Sequence, residues 1–240
     1  MVLDLLALTA IPTAIGASEA VHQQQILDDE AESEHRQAPF YLDVYCNAKS
    51  SKRDEVHGAM VILRDGKLKL WPKDRNTNLP KKGPNDDSPP HPFTGFYLPF
   101  PTSDLPHRPI PAPPILGLVS TIPPTRSASS SDSTRPKKPK LNWIYADEET
   151  CELRYGPRAE ARHHTVGHWD WTEDDEQGLT LDGEECLVAV EEEEGGYGWA
   201  VYLDREDDRL KGVGIGREKR VLRCSLERRL VKGGKRAIEV

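Results

Sequence analysis

Between residues 141 and 203 the chain is a series of short apolar runs joined by turns dense in Asp and Glu: LNWIYA, CELRYG, GLTL, CLVAV and GWAVYL. None is long enough for a stable helix. Each is rich in the β-branched and aromatic residues that suit a pleated surface, which is the pattern of hairpin-connected antiparallel strands. The first hairpin carries Trp143 and Tyr145 before a turn at 147–150, and Leu153 and Tyr155 after it. Residues 162–171 read as a further strand, and residues 178–181 as a short one. CLVAV and GWAVYL form another hairpin across residues 191–198.

The first half repeats the theme. Residues 40–46, FYLDVYC, read as a strand, and residues 49–55 as a charged turn. Residues 56–72 predict a hairpin in which Met60, Ile62, Leu68 and Leu70 alternate with other residues. Its turn is Asp65-Gly66, the dipeptide that a type I′ turn requires because both central residues need positive φ. Residues 93–100 and 115–122 read as two more strands, with Pro99 confining the former to an edge or its end. The tail, RVLRCSLERRLV, begins as a strand with Leu222, Cys224 and Leu226 inward and Arg223 outward, and ends as a helical turn carrying Arg228 and Arg229. About ten short strands without intervening helices predict a mainly β chain, an antiparallel sandwich or barrel, with an N-terminal helix. Three hairpins share a loose pattern of aromatic strand, acidic turn and leucine-bearing strand, too uneven for a propeller repeat.

Two domains of organisation follow: an apolar to amphipathic helical arm over 1–38, and a single all-β domain over 39–240 interrupted at about 72–140. Of the 20 prolines, 17 fall between Pro72 and Pro139. Within that interruption, PPTRSASSSDSTRPKKPK is a low-complexity segment that cannot bury enough apolar surface to order itself. Its basic end, residues 135–140, resembles a short nuclear-import signal. In the arm, residues 1–17 are almost all apolar but carry Asp4 where a signal peptide carries basic residues. They are too short, and broken by Pro12, for a membrane span. They read as a helix packed on the domain, with an interfacial anchor as the alternative. The helix runs on, polar, to about Gln37, and Pro39 ends it.

The net charge of −8 hides an asymmetry. Residues 141–210 hold 21 Asp/Glu against 5 Lys/Arg, a net −16, while residues 211–240 hold 3 against 10, a net +7. The tail reads as docked back on the acidic domain, with an anionic partner as the sharper alternative. Overall acidity disfavours a nucleic-acid binder, because phosphate contacts supply most of that affinity. The four cysteines, Cys46, Cys151, Cys186 and Cys224, form no CxxC pair and sit in apolar runs. They read as reduced core thiols of an intracellular, cytoplasmic protein, the alternative being two disulfides in a secreted one.

Candidate chemistry is sparse. His164, His168 and Asp170 fall on one face of the expected 162–171 strand and offer a metal set, with His163 facing away; a catalytic metal would need three such ligands and an open position. Trp169 and Trp171 with Asp174 and Asp175 offer a ligand platform of aromatic rings beside carboxylates. The glycines of KGVGIG do not make a phosphate loop, and no GxSxG elbow occurs. No cofactor is implied and no catalytic residue is assigned.

MVLDLLALTAIPTAIGASEAV, FYLDVYC, HPFTGFYLPFP, LNWIYADEETCELRYGPR and GHWDWTEDDEQGLTL together resemble a family of uncharacterised ascomycete fungal proteins. The resemblance spans both strand groups and skips the proline-rich loops. It implies a fungal, intracellular protein and carries over no catalytic residue. The opening segment is also similar in composition to the amphipathic N-termini of fungal cell-death effectors, which act at membranes. The leading expectation is therefore a non-enzymatic binding module for a protein or small ligand. A hydrolase using His164, His168 and Asp170, and a membrane-associated protein anchored through residues 1–17, are the alternatives.

Overall fold

Asp65 and Gly66 both adopt positive φ, 55° and 77°, and the strands they join pair in full register from Met60↔Trp71 to Arg64↔Lys67. These are β2 (Met60–Arg64) and β3 (Lys67–Trp71) of a computed structural model that describes residues 34–84, 86–101, 115–122, 140–215 and 219–231. The inward set on β2 differs from the expected alternation. Val61 and Leu63 stand opposite Leu70 and Leu68 and share the main core with them, while Met60 and Ile62 are buried on the other face. Both faces of β2 are buried, and the segment after β3 folds back to pair its second edge: the Phe93 amide donates to the Val61 carbonyl, and Ile62 bridges Pro92. A run apolar at every position is what such a strand needs.

The remaining strands are β1 (Phe40–Tyr45), β4 (Gly95–Phe100), β5 (Ile115–Ile122), β6 (Lys140–Ala146), β7 (Leu153–Gly156), β8 (Trp169–Trp171), β9 (Leu179–Leu181), β10 (Leu187–Glu191), β11 (Trp199–Leu203), β12 (Val221–Arg223) and β13 (Ser225–Leu230). Two one-turn helices, α1 (Arg53–Val56) and α2 (Arg158–Ala161), join them. The order β3-β2-β1-β4-β5-β6-β7 closes on itself through a β7–β3 pairing at Lys67↔Arg154. The architecture is thus a closed seven-stranded antiparallel barrel, which removes the edges an open sheet would expose. β11, β10 and β12 extend it from β3, β13 lies along β1, and β8–β9 form a separate ribbon. Pro99 lies in β4 beyond its one contact with β1, at Gly95, where only β5 flanks it.

The main core fills the barrel with Phe40, Leu42, Val44, Leu68, Leu118, Ile144, Trp169 and Trp199, among others. A second cluster, Phe96, Val119, Trp143 and Tyr145 with Ala161 and Val166, lies under α2 and the loop after it. A third, Val188, Val190, Ala200 and Tyr202, is covered by Leu210.

Two expectations are corrected. The tail is extended throughout: β13 pairs with β1 over six residues, from Phe40↔Leu230 to Tyr45↔Ser225, so Arg228 and Arg229 sit on a strand rather than a helical turn. The reason is the partner. β1 meets β2 and β4 at one register pair each and leaves its length to β13, and a strand there buries Leu226 while Arg229 reaches Asp43 at 2.8 Å and the Arg228 guanidinium lies over the Trp171 ring at 4.2 Å. The described part of the basic tail is therefore docked on the chain itself. The expected strand over 162–171 is strand only at β8, because Pro157 starts α2 and the chain then runs irregularly to His168.

Residues 34–37 are helical, with the Ala38 amide returning to the Glu34 carbonyl. The rest of the expected arm, its residues 1–17 and the basic residues 135–139 lie outside the described residues. Among the described residues no helix is long and apolar enough to cross a membrane.

Candidate ligand cleft

The histidines singled out above go to separate places. His164 stacks flat on Tyr145, with ring centroids 4.8 Å apart and 9° between planes, and accepts the Glu148 amide. Its Nδ1 stands 4.0 Å from the Asp147 carboxylate. His168 accepts the Leu116 amide at 3.4 Å, and its own amide donates to Asp182 at 2.9 Å. Asp170 is held by Arg36 at 2.8 and 3.3 Å and by the Trp171 amide at 2.9 Å. Among the described residues no group of three or more His, Cys, Asp or Glu side chains stands ready to hold a metal ion. The shared face disappears because the strand that would have aligned them is not formed.

The expected aromatic platform is split by burial. Trp169 is fully buried in the main core, so its ring presents no surface to solvent. Trp171 is half-buried, clamped between the Arg228 and Arg36 guanidinium groups with the rings of Tyr97 and His35 edge-on at 5.0 and 5.4 Å. Asp174 caps the following turn, accepting from the Thr172 hydroxyl at 2.7 Å and from the Glu176 and Gln177 amides. The Thr172 bond and those amides hold its carboxyl below the usual range, a local turn effect. Asp175 is exposed at the same turn. Trp169 and Trp171 thus stabilise the fold, and the four residues make no common surface.

An open cleft of about 410 Å³ lies instead between the β2–β3 turn, the 81–86 loop and the β10–β11 loop. Its floor is Trp71, whose indole N–H donates to the Lys81 carbonyl at 2.7 Å. Above it the Arg64 guanidinium stands 5.2 Å from the ring and grips Asp86 through two bonds of 2.8 and 3.0 Å. The Asp86 hydrogen bonds keep Arg64 firmly charged. Tyr197 meets Trp71 edge-on at 4.7 Å and is 36% exposed, so the aromatic surface presented to solvent is mainly Tyr197, Trp71 itself being only 4% exposed. Asp65, paired with Lys69 at 3.3 Å, and the exposed Glu193 and Glu194 complete the rim. Gly83 is required here: a Cβ would collide with the Asp86 carboxylate and come within 2.9 Å of the Trp71 ring.

Beside the cleft the Lys67 ammonium bridges Glu152 and Glu192, each at 2.7 Å, and the Tyr202 hydroxyl donates to Glu192 at 2.8 Å. Burial pulls Lys67 down, but its two carboxylate bonds outweigh that and leave it raised. Burial likewise pushes Glu192 up, and the bonds from Lys67 and Tyr202 bring it below the usual range. This network ties Glu192, at the start of the β10–β11 loop, to the barrel seam.

A second, more apolar cleft of about 510 Å³ opens where β1 ends and β13 begins, walled by Tyr45, Ala48, Glu185, Arg223, Cys224 and Ser225.

Sequence reasoning missed the Trp71 cleft because its parts lie more than a hundred residues apart and meet only through the β11–β3 pairing, Trp199↔Leu70. One signal was present: Tyr197 follows Gly195-Gly196 inside an acidic turn, where an aromatic residue has no core to fill.

The described strands thus form a closed antiparallel barrel with hairpins and a short ribbon on its flanks. The fungal beta-trefoil domain model matches residues 16–232, and the chain belongs to that family. Neither a curated protein nor a solved structure gives a match.

Proposed function

We propose that the protein is a non-enzymatic binding module whose ligand seat is the Trp71–Tyr197 cleft, and that the ligand presents a cationic group. The observation carrying this reading is the Tyr197 ring, 36% exposed and edge-on to Trp71, in a cleft whose lining also holds the exposed Glu193 and Glu194. An aromatic face attracts a cation through its quadrupole, at about 0.5–2 kcal/mol depending on desolvation, and adjacent carboxylates add to that attraction. The same loop belongs to the most acidic part of the chain, which favours encounter with positive partners. The groups that bear charge are pre-positioned: Arg64 and Lys69 are already paired within the cleft, leaving the outward acids for a ligand.

The test is titration of the full chain with a lysine- and arginine-bearing peptide, followed by aromatic fluorescence, in parallel with neutral saccharides. Peptide binding that weakens with salt and is lost in Tyr197→Ala and in the Glu193→Gln/Glu194→Gln double variant is the expected result. Binding of a neutral saccharide without the peptide, or peptide binding indifferent to Tyr197→Ala, would overturn the cationic reading.

A further inference from the structure

The strand ladder that docks the tail ends on a pair of thiols. In β1–β13 the last register pair is Tyr45↔Ser225. The next residue on each side is Cys46 and Cys224. Val44↔Leu226 is the inward pair before it, so the alternation of a strand sends both cysteine side chains to the same, core face. Both belong to the main core, 0% and 6% exposed, and both thiols are free. The Cys46 thiol donates at 3.3 Å to the Arg223 carbonyl, the group attached directly to the Cys224 nitrogen. Neither backbone amide crosses the ladder here: Cys46 N–H goes to His57 and Cys224 N–H to Leu187. The paired register stops one residue earlier, but the Cys46 sulfur already reaches the peptide group of Cys224, and an antiparallel pair that exchanges no backbone bonds sets its Cα atoms about 4.5 Å apart, inside the roughly 4.4–6.8 Å that a disulfide spans.

We propose that Cys46 and Cys224 form a cross-strand modification site that a peroxide closes to a disulfide, clasping β13 to β1. Access is one-sided. Cys224 walls the 510 Å³ cleft, whereas Cys46 lies behind it. The Cys224 sulfur attacks hydrogen peroxide, the O–O bond breaks, and a sulfenic acid forms with release of one water. The Cys46 thiol then attacks that sulfur, the S–S bond forms, and the sulfenic oxygen leaves as a second water, taking the remaining thiol proton. The thiols lose two electrons and the peroxide gains them. Burial pushes the Cys224 thiol far above its usual range, so the reaction is slow at neutral pH and accelerates as pH rises. The closed bond spans most of the chain and ties its C-terminal strand to its first strand, so it restricts the unfolded state strongly. Cys151 and Cys186 lie on other loops and take no part.

The experiment treats the full chain with hydrogen peroxide, alkylates the remaining thiols and maps peptides without reduction. The expected result is a Cys46–Cys224 linked peptide, an intact mass lower by two hydrogens, and a higher melting temperature that returns on reduction. In Cys46→Ala the linked peptide is absent and peroxide leaves melting where it was. Cys46 and Cys224 remaining alkylatable while Cys151 or Cys186 oxidises would overturn the proposal, as would a linked peptide with no rise in melting temperature. The wild-type map decides even where the variant fails to fold.

Discussion

Two regions of this molecule have nearly the same residue types and opposite uses for them. The segment around Trp169 and Trp171 combines tryptophans with Asp170, Asp174 and Asp175; the Trp71 cleft combines an indole and a phenol with Asp65, Asp86, Glu193 and Glu194. In the first, all of these groups except the exposed Asp175 are spent on the fold. Trp169 fills the barrel, Trp171 is covered by two guanidinium groups, Asp170 holds Arg36, and Asp174 caps a turn. In the second, Arg64 and Asp86 satisfy each other and keep Trp71 covered, while Tyr197 and the two glutamates face water. The two regions therefore differ in how far their side chains are turned to solvent rather than in residue type.

The contrast can be broken by substitution, most sharply in the core. Trp169→Ala removes a fully buried side chain and is expected to cost about 3–5 kcal/mol in a denaturant titration, with ligand affinity of any refolded protein unchanged. Lys67→Met strands Glu152 and Glu192 beside each other. It is expected to cost about 2 kcal/mol, less than a fully buried ion pair because these groups retain some solvent, and to loosen the loop bearing Tyr197. A loss of ligand affinity exceeding the loss of stability would show the network positions the cleft. Arg228→Met removes the guanidinium stacked on Trp171 and is expected to cost about 1 kcal/mol, read as a lower midpoint at unchanged slope.

Acid probes the same seam. Glu192 is held below its ordinary value of 4.5 in the folded state, so it binds protons more readily when unfolded. Its contribution is therefore fully present above about pH 4.5 and is lost as pH falls through the lower, folded value. A wild-type melting curve that drops in that window, with a shallower drop in Glu192→Gln, is the expected pair of results. At the smallest end, Tyr197→Ala should change stability by no more than about 0.5 kcal/mol while abolishing peptide binding. A large stability loss there would return Tyr197 to the structural class and remove the distinction.

Much of the barrel was legible because its signals are local. Asp65-Gly66 forces a tight hairpin whatever lies around it, and the Trp143–Tyr145 and Leu153–Tyr155 runs pair across a turn only a few residues long. Cys224 and Leu226 were read inward correctly because period-two alternation belongs to the strand itself. The failures share a cause as well. The 162–171 run has strand-like composition, but α2, with Pro157 as its N-cap, precedes it and the segment then leans on Tyr145 and Leu116, partners from other hairpins. The tail's arginines suit a helical turn in isolation, yet β1 offers them a partner over six paired residues.

The sequence by itself determined that this chain is built of antiparallel hairpins, since alternation and turn chemistry act over a few residues. It also determined the charge asymmetry, which is a matter of counting. Only the tertiary structure decided that the hairpins close through β7 and β3, which tryptophans are inside, and that Trp71 and Tyr197 share a cleft. Closure depends on pairings between residues far apart in the chain, and a side chain's partner, unlike its type, is not written beside it.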